Sequence, residues 1–437
     1  MMRVTDAPTA QLAVELSILL GRVAGDWSID RTEAANDGRP RAGMREVGDT
    51  YEVWVTSNDQ RERIVLTPSS SFSGSAVDLR LLEKLTSVFS HDLEAVGSAW
   101  RAQEIWADLS ETRFLRAASR ISPFSTTPLL KWIRLFEAAA RQTYEGTAFA
   151  GSLVMVKHLP SFRSAVDNRY HQFDRPLEFE QALLREKWLK PFLQNGDFAL
   201  VTVGHKGLVK GFTDTVQPWS QPVDMAPTVE LEGLYGHLRP GTSVLSASPA
   251  GDIHLALPSG VTFVNSQGRW RYQSWKVLES IVGRQCETAV AQQIVRVVRS
   301  ASYSHRGSLY VILADGADVI GVVPDHESDS RTSRTLRATL TGIELDEPMS
   351  SRLLSIASGI DGAIILSDKG RIVDVASMIA EPTKEALAQA GLAQLQRLAG
   401  ARSTAAWNAS VHGLAIKVSD DGPVDAYERG KHVFHAG

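Results

Sequence analysis

Between Tyr51 and Leu66 apolar and polar residues alternate, with Tyr51, Val53 and Val55 on one arm and Ile64 and Leu66 on the other, around Ser57-Asn58-Asp59-Gln60. A period of two about a polar turn predicts a hairpin with one buried face. Helical spacing precedes it at residues 11–23. After a serine-rich loop at 68–75, helical spacing resumes from Val77 to about Ala118, punctuated by Gly97. Trp100, Trp106 and Phe114 recur there at near-helical spacing, which predicts packing rather than a ligand site. Pro123 and Pro128 disfavour helix around the segment 121–128, a domain boundary, and its hydroxyls are placed to cap a helix from Leu129.

From there one order of elements occurs twice. A helix at 129–142 leads to the apolar run Gly151-Ser-Leu-Val-Met-Val156, and a helix at 287–300 leads to Gly307-Ser-Leu-Tyr-Val-Ile312. A helix at 184–192 then precedes Asp197-Phe-Ala-Leu-Val-Thr-Val203 and Lys206-Gly207. Its later counterpart at 350–358 precedes Asp361-Gly-Ala-Ile-Ile-Leu366 and Lys369-Gly370. Allowing one inserted residue, the runs align from the aspartate to the Lys-Gly, which reads as a tandem duplication of an α/β unit. Between the copies, residues 241–275 alternate through Val244, Ile253, Leu255, Val261, Phe263 and Tyr272 with turns at 249–252, 258–260 and 266–268, predicting a three- or four-stranded antiparallel meander. The expected class is therefore α/β (α+β): an N-terminal α+β domain at 1–122, an α/β unit with the meander at 123–280, and a last α/β unit at 281–437.

Composition narrows the function classes. At 437 residues, 43% apolar and 22% charged, the chain can bury more than one core. A net charge of −4 supplies no basic excess to neutralise a run of phosphates, so nucleic acid is not an expected partner. One cysteine, Cys286, rules out an internal disulfide and fits a cytoplasmic location. No run reaches the ~20 apolar residues of a membrane span, and the N-terminal segment, broken by Glu15, reads as an amphipathic helix rather than a signal peptide. No His-Glu-x-x-His and no Gly-rich phosphate loop occurs, and His432 and His435 at the tail are expected to face solvent. Tyr170, His171, Phe173, Trp188 and Phe192 read as helix-spaced core.

Two motifs carry candidate chemistry. Asp361-Gly362-Ala363 stands where a helix hands over to a strand, so the carboxylate can reach a metal or a nucleotide hydroxyl and Gly362 can let a ligand approach the backbone. Further on, a helix at 382–398 ends at Gly400, and Gly400-Ala-Arg402-Ser403-Thr404 opens the next one. Free helix-start amides and a guanidinium fork are suited to an oxyanion. Then comes the strand Gly413-Leu-Ala-Ile-Lys-Val418, closed by Ser419-Asp420-Asp421-Gly422, which also reads as a hairpin turn.

In this order the chain resembles diadenylate cyclases over residues 281–430. That family carries Asp-Gly-Ala on one strand, a Gly-x-Arg-His-Arg-Ala-Ala run opening a helix, and a strand closed by Ser-Glu-Glu. Here Arg402 matches the first arginine, while Ser403 and Thr404 stand where the family has His and the second Arg, a loss of two charge-assisted donors worth about 1.5–3 kcal/mol each in a dry pocket. The pattern is similar to the degenerate, sensor-type diadenylate-cyclase-like domains known as DACNV. The resemblance implies a nucleotide or cyclic-dinucleotide ligand held by Asp361, Gly362, Ala363, Gly400, Arg402, Ser403 and Thr404, with impaired turnover because phosphoryl transfer rests on charge stabilisation. It also implies an effector protein as partner and leaves a homodimer open. Two alternatives stay open: an active cyclase, with Asp361 and Arg402 catalytic and Mg or Mn held by Asp361, Asp420 and Asp421, and a structural scaffold whose site is vestigial.

Overall fold

The computed structural model describes residues 11–12, 15, 27–33, 42–47, 50–57, 60–68, 76–96 and 104–436, except 145–146, 150, 167–168, 195–196, 205–206, 216–225, 227–230, 259–260, 267, 274, 318, 324–330 and 346–347. The fold is α/β, in two compact units, Met1–Ser274 and Trp275–Gly437. Of the helix expected at 11–23, only Gln11, Leu12 and Glu15 lie within the described residues, and the serine-rich loop lies outside them beyond Pro68.

In the first unit, strands β1 (Trp27–Glu33), β2 (Ala42–Val47), β3 (Thr50–Ser57) and β4 (Gln60–Pro68) form an antiparallel sheet in the order β1-β4-β3-β2. The β3–β4 hairpin closes with Ser57 opposite Gln60, where the alternation expects it. The helical stretch after it resolves into helices Ala76–Val96 and Glu104–Ile121. A third helix, Thr126–Ala140, starts three residues earlier than its proline suggested. Pro128 sits in the first turn, where the N–H it lacks would have no helical partner.

Strands β5 (Thr143–Tyr144) and β6 (Thr147–Ala148) form a short ladder. Next come β7 (Ser152–Val156), β8 (Tyr170–Glu178), β9 (Phe198–Val203), β10 (Leu208–Asp214), β11 (Thr242–Ala247), β12 (Ile253–Ala256), β13 (Thr262–Ser266) and β14 (Arg269–Gln273). They make one sheet, β14-β13-β12-β11-β7-β9-β10-β8, so the predicted meander extends the sheet beside β7. Two expectations fail here. Tyr170, His171 and Phe173 lie on the edge strand β8 rather than a helix. The helix at 184–192 is instead a π turn, Gln181–Arg185, and a separate helix, Leu189–Gln194. A continuous helix would bury Pro191 mid-run, losing a hydrogen bond and clashing one turn back, whereas the break leaves it in a first turn.

The second unit holds β15 (Ser308–Leu313), β16 (Ala363–Leu366), β17 (Ile372–Ser377), β18 (Gly413–Val418), β19 (Val424–Glu428) and β20 (Lys431–Ala436), in the order β17-β16-β15-β18-β19-β20. Only β15–β16 is parallel within this sheet. Helix Ala401–Ser410 buries Ala406, Trp407 and Ala409 against Leu309, Val311 and Ala415 on one face. The helix expected at 382–398 is only Lys384–Gln389, capped by Thr383 and stopped at Gly391, whose φ of +74° takes the chain out of the helix.

The two units share a strand plan. Each has a central strand (β7, β15) with a parallel then an antiparallel neighbour on one side (β9 and β10; β16 and β17), and an antiparallel meander on the other, of four strands in the first unit and three in the second. Registers match across the sheets. Leu200, Leu153, Leu245, Leu255 and Phe263 form one row in the first unit, and Ala363, Leu309, Lys417, Asp425 and His435 hold the same places in the second. The first row is wholly apolar and buried. This register also puts Phe198 rather than Asp197 in the place of Asp361, so the sequence alignment of the two aspartates is off by one residue.

Candidate functional site

The row explains how the second unit makes a pocket. A cavity of about 680 Å³ opens over Ser377, Ala363, Leu309 and Lys417, four adjacent strands of the sheet, and is completed by Asp361 and Gly362, the helix start Gly400–Ser403, and the Ser419-Asp420-Asp421 turn. That volume is in the range of small-molecule sites. Residues far apart in sequence meet here because β15 lies between β16 and β18, which puts the Asp361 segment one strand away from β18 and the turn that follows it at Ser419.

At Asp361-Gly362-Ala363 the backbone turns into β16. The Gly362 N–H donates to the Asp361 carboxylate (3.0 Å), and Gly362 has φ +109°. A Cβ there would lie 2.8 Å from the Ser377 nitrogen, so the neighbouring strand, rather than an approaching ligand, imposes glycine. That strand is itself kinked: Ala376 has φ +55°, and Arg337 donates to the carbonyls of Val375 and Ala376 (3.0 Å each). Ser377, in turn, donates to Asp374 (2.8 Å).

Gly400, at φ +90°, starts the helix Ala401–Ser410. Thr404 N–H bonds back to the Gly400 carbonyl, which leaves the amides of Ala401, Arg402 and Ser403 without a partner inside the helix. Arg402 donates to Asp420 (3.0 Å), and the pair packs over Gly307, where any side chain would collide with both. Being largely exposed at Asp420, this ion pair is weak and readily exchanged for an anion. Thr404 is not brought to the cavity: its hydroxyl donates to the Leu398 carbonyl (3.0 Å) and accepts from the Leu398 amide (3.2 Å), tying down the loop before the helix.

Lys417 was not among the residues the motifs pointed to. It is the one charge in an otherwise apolar strand, a signal visible in the sequence but without a stated direction. Its ammonium reaches Ser403 Oγ (3.1 Å) and Asp425 Oδ2 (2.9 Å) and faces the cavity. Beyond it, His432 Nε2 and His435 Nδ1 both approach Asp425 Oδ1, at 3.0 and 2.8 Å, so these histidines are not the free surface groups expected. Burial alone would raise the Asp425 carboxyl, but the hydrogen bonds from His432, His435 and Lys417 and the Lys417 charge outweigh it and hold the group well below the usual carboxylate range. Burial, and secondarily the Asp425 charge, push the neighbouring Tyr427 hydroxyl up to about 12.

Asp361, Asp420 and Asp421 line one cavity but do not gather into a three-ligand group. Among the described residues, Asp425, His432 and His435 are the group with ligand atoms at metal spacing, all within 4.8 Å. The cavity thus offers donors (Arg402, Lys417, Ser403 and helix-start amides) and acceptors (Asp361, Asp420, Asp421), a set suited to a ligand bearing both an anion and hydroxyl or amino groups. No known protein family matches this chain, and no curated protein matches it. Among the described residues, no helix is long and apolar enough to cross a membrane.

Proposed function

We propose that the second unit binds a nucleotide or cyclic dinucleotide and acts as a sensor in bacterial signalling or defence, passing occupancy to an effector protein, with little or no turnover. The observation that carries the reading is the convergence, in one cavity, of Asp361-Gly362-Ala363 with Arg402, Ser403 and Lys417. A phosphodiester would displace Asp420 from Arg402 and take the helix-start amides, while Asp361 accepts from a hydroxyl or amino group. One arginine and one lysine suit a singly charged phosphodiester better than a triphosphate in transfer. The first unit, whose matching row is leucine and phenylalanine, is proposed to be a non-binding copy.

Thermal shift and calorimetry of the full chain with cyclic di-AMP, other cyclic dinucleotides and ATP test this. A ligand at 100 times its dissociation constant should stabilise the unit by about 2.7 kcal/mol, and Arg402→Ala should weaken binding at least tenfold. No response to any nucleotide would favour the scaffold reading. Formation of cyclic di-AMP from ATP with Mg or Mn would overturn the sensor in favour of an active cyclase using Asp361 and Arg402.

A further inference from the structure

The β19–β20 hairpin carries a feature the nucleotide pocket does not use. Asp425 and His435 are direct cross-strand partners, so their side chains share a face. His432 is three residues from His435, and in a regular strand would point to the opposite face. A bulge between Ala426 and Tyr427, with Val433 as the extra residue of β20, restores it to the face of Asp425. The stacked Tyr427 ring, 4.8 Å away at 24°, fixes the plane of His432. Lys417 on Oδ2 turns the other oxygen, Oδ1, to both imidazoles.

We propose that Asp425, His432 and His435 form a binding site for a divalent first-row transition-metal ion. Neutralising a buried carboxylate needs one cation, and Lys417 already supplies it; two further imidazole nitrogens converging on the free oxygen make the nitrogen–oxygen set that such ions select. The spacing agrees. Ligand atoms at right angles about an ion with bonds of about 2.1 Å lie about 3.0 Å apart, and those about a tetrahedral zinc about 3.4 Å apart. The observed oxygen–nitrogen distances of 3.0 and 2.8 Å therefore match two right-angle pairs, while the rings, with centroids 6.3 Å apart, hold their nitrogens no more than 4.8 Å and no less than about 4 Å apart, as at opposite positions about an ion that flank the carboxylate oxygen. Side-chain exposures of 25% at His432 and 42% at His435 leave the remaining positions open to water. On binding, each ring gives up the proton it donates to Asp425 and, as a neutral imidazole, carries its proton on the other nitrogen: Nδ1 in His432, Nε2 in His435. Lys417 remains on Oδ2, orienting the carboxylate as outer partners of metal ligands do.

The test uses the full chain, stripped with chelator and titrated with Zn²⁺ by calorimetry and with Co²⁺ by visible absorption, whose intensity separates four- from six-coordinate binding. One equivalent should bind, with affinity falling ten- to a hundredfold in both His432→Ala and His435→Ala and unchanged in the exposed control His171→Ala. Circular dichroism shows that each variant is folded. Absence of stoichiometric binding, or binding by either histidine variant as tight as that of the parent chain, overturns the proposal. These titrations contain no nucleotide, so their outcome is independent of the cavity's ligand.

Discussion

The matched rows of the two units allow a designed exchange. Lys417 and Asp425 are 12% and 13% exposed and 2.9 Å apart, and the first unit carries Leu245 and Leu255 in their places, both fully buried. Breaking a buried ion pair by removing one partner costs about 3–5 kcal/mol, because the other charge is left desolvated. Lys417→Leu should cost less, about 2–3 kcal/mol, because His432 and His435 still donate to Asp425. Asp425→Leu should cost about 3–4 kcal/mol, since the ammonium keeps only Ser403 Oγ. The double variant restores an apolar pair and should fall within about 1 kcal/mol of the parent, a coupling of about −5 kcal/mol where independent sites would give about zero. Hydrogen exchange of β18 and β19 amides reads the stability of this unit directly. A double variant as unstable as the sum of the singles would refute the ion-pair argument. The same protein also tests Lys417 as a phosphate contact: it should stay folded yet lose nucleotide binding at least tenfold, and unchanged binding would remove Lys417 from the site.

Further outcomes follow from single positions. Gly362→Ala should destabilise the second unit by about 2–4 kcal/mol, because a side chain at φ +109° meets the backbone of Ala376 and Ser377; urea denaturation checks it, and a change under 1 kcal/mol would contradict the close strand approach. His237, fully buried, has its pKa lowered by desolvation to about 4 against 6.5 when unfolded. The unfolded chain therefore binds the extra proton between those values, and the first unit should lose about 2 kcal/mol on going from pH 7 to 5. Hydrogen exchange of β9 and β10 at the two pH values measures this, and a His237→Gln variant with an equally steep dependence would exclude His237 as its source.

What the sequence determined by itself was whatever a local period can encode. The hairpin at Tyr51–Leu66, the meander from Val244 to Tyr272, the buried run Leu309–Leu313 and the helix opening at Gly400 all announce themselves within a dozen residues, because burial on one face forces a period of two or a short apolar run. Local signals failed where two principles competed over a few residues. Pro191 broke a helix whose apolar spacing was intact, and Gly391 cut short one that the spacing carried to 398. The site needed more. That Asp361 and Arg402 share a cavity, that Lys417 faces it while Thr404 ties down a loop, and that a bulge turns His432 beside His435 are properties of strand order and register. Pairing between strands is set by contacts over tens to more than a hundred residues of chain, and a shift of one residue reverses which face a side chain occupies, so only the tertiary structure could decide them.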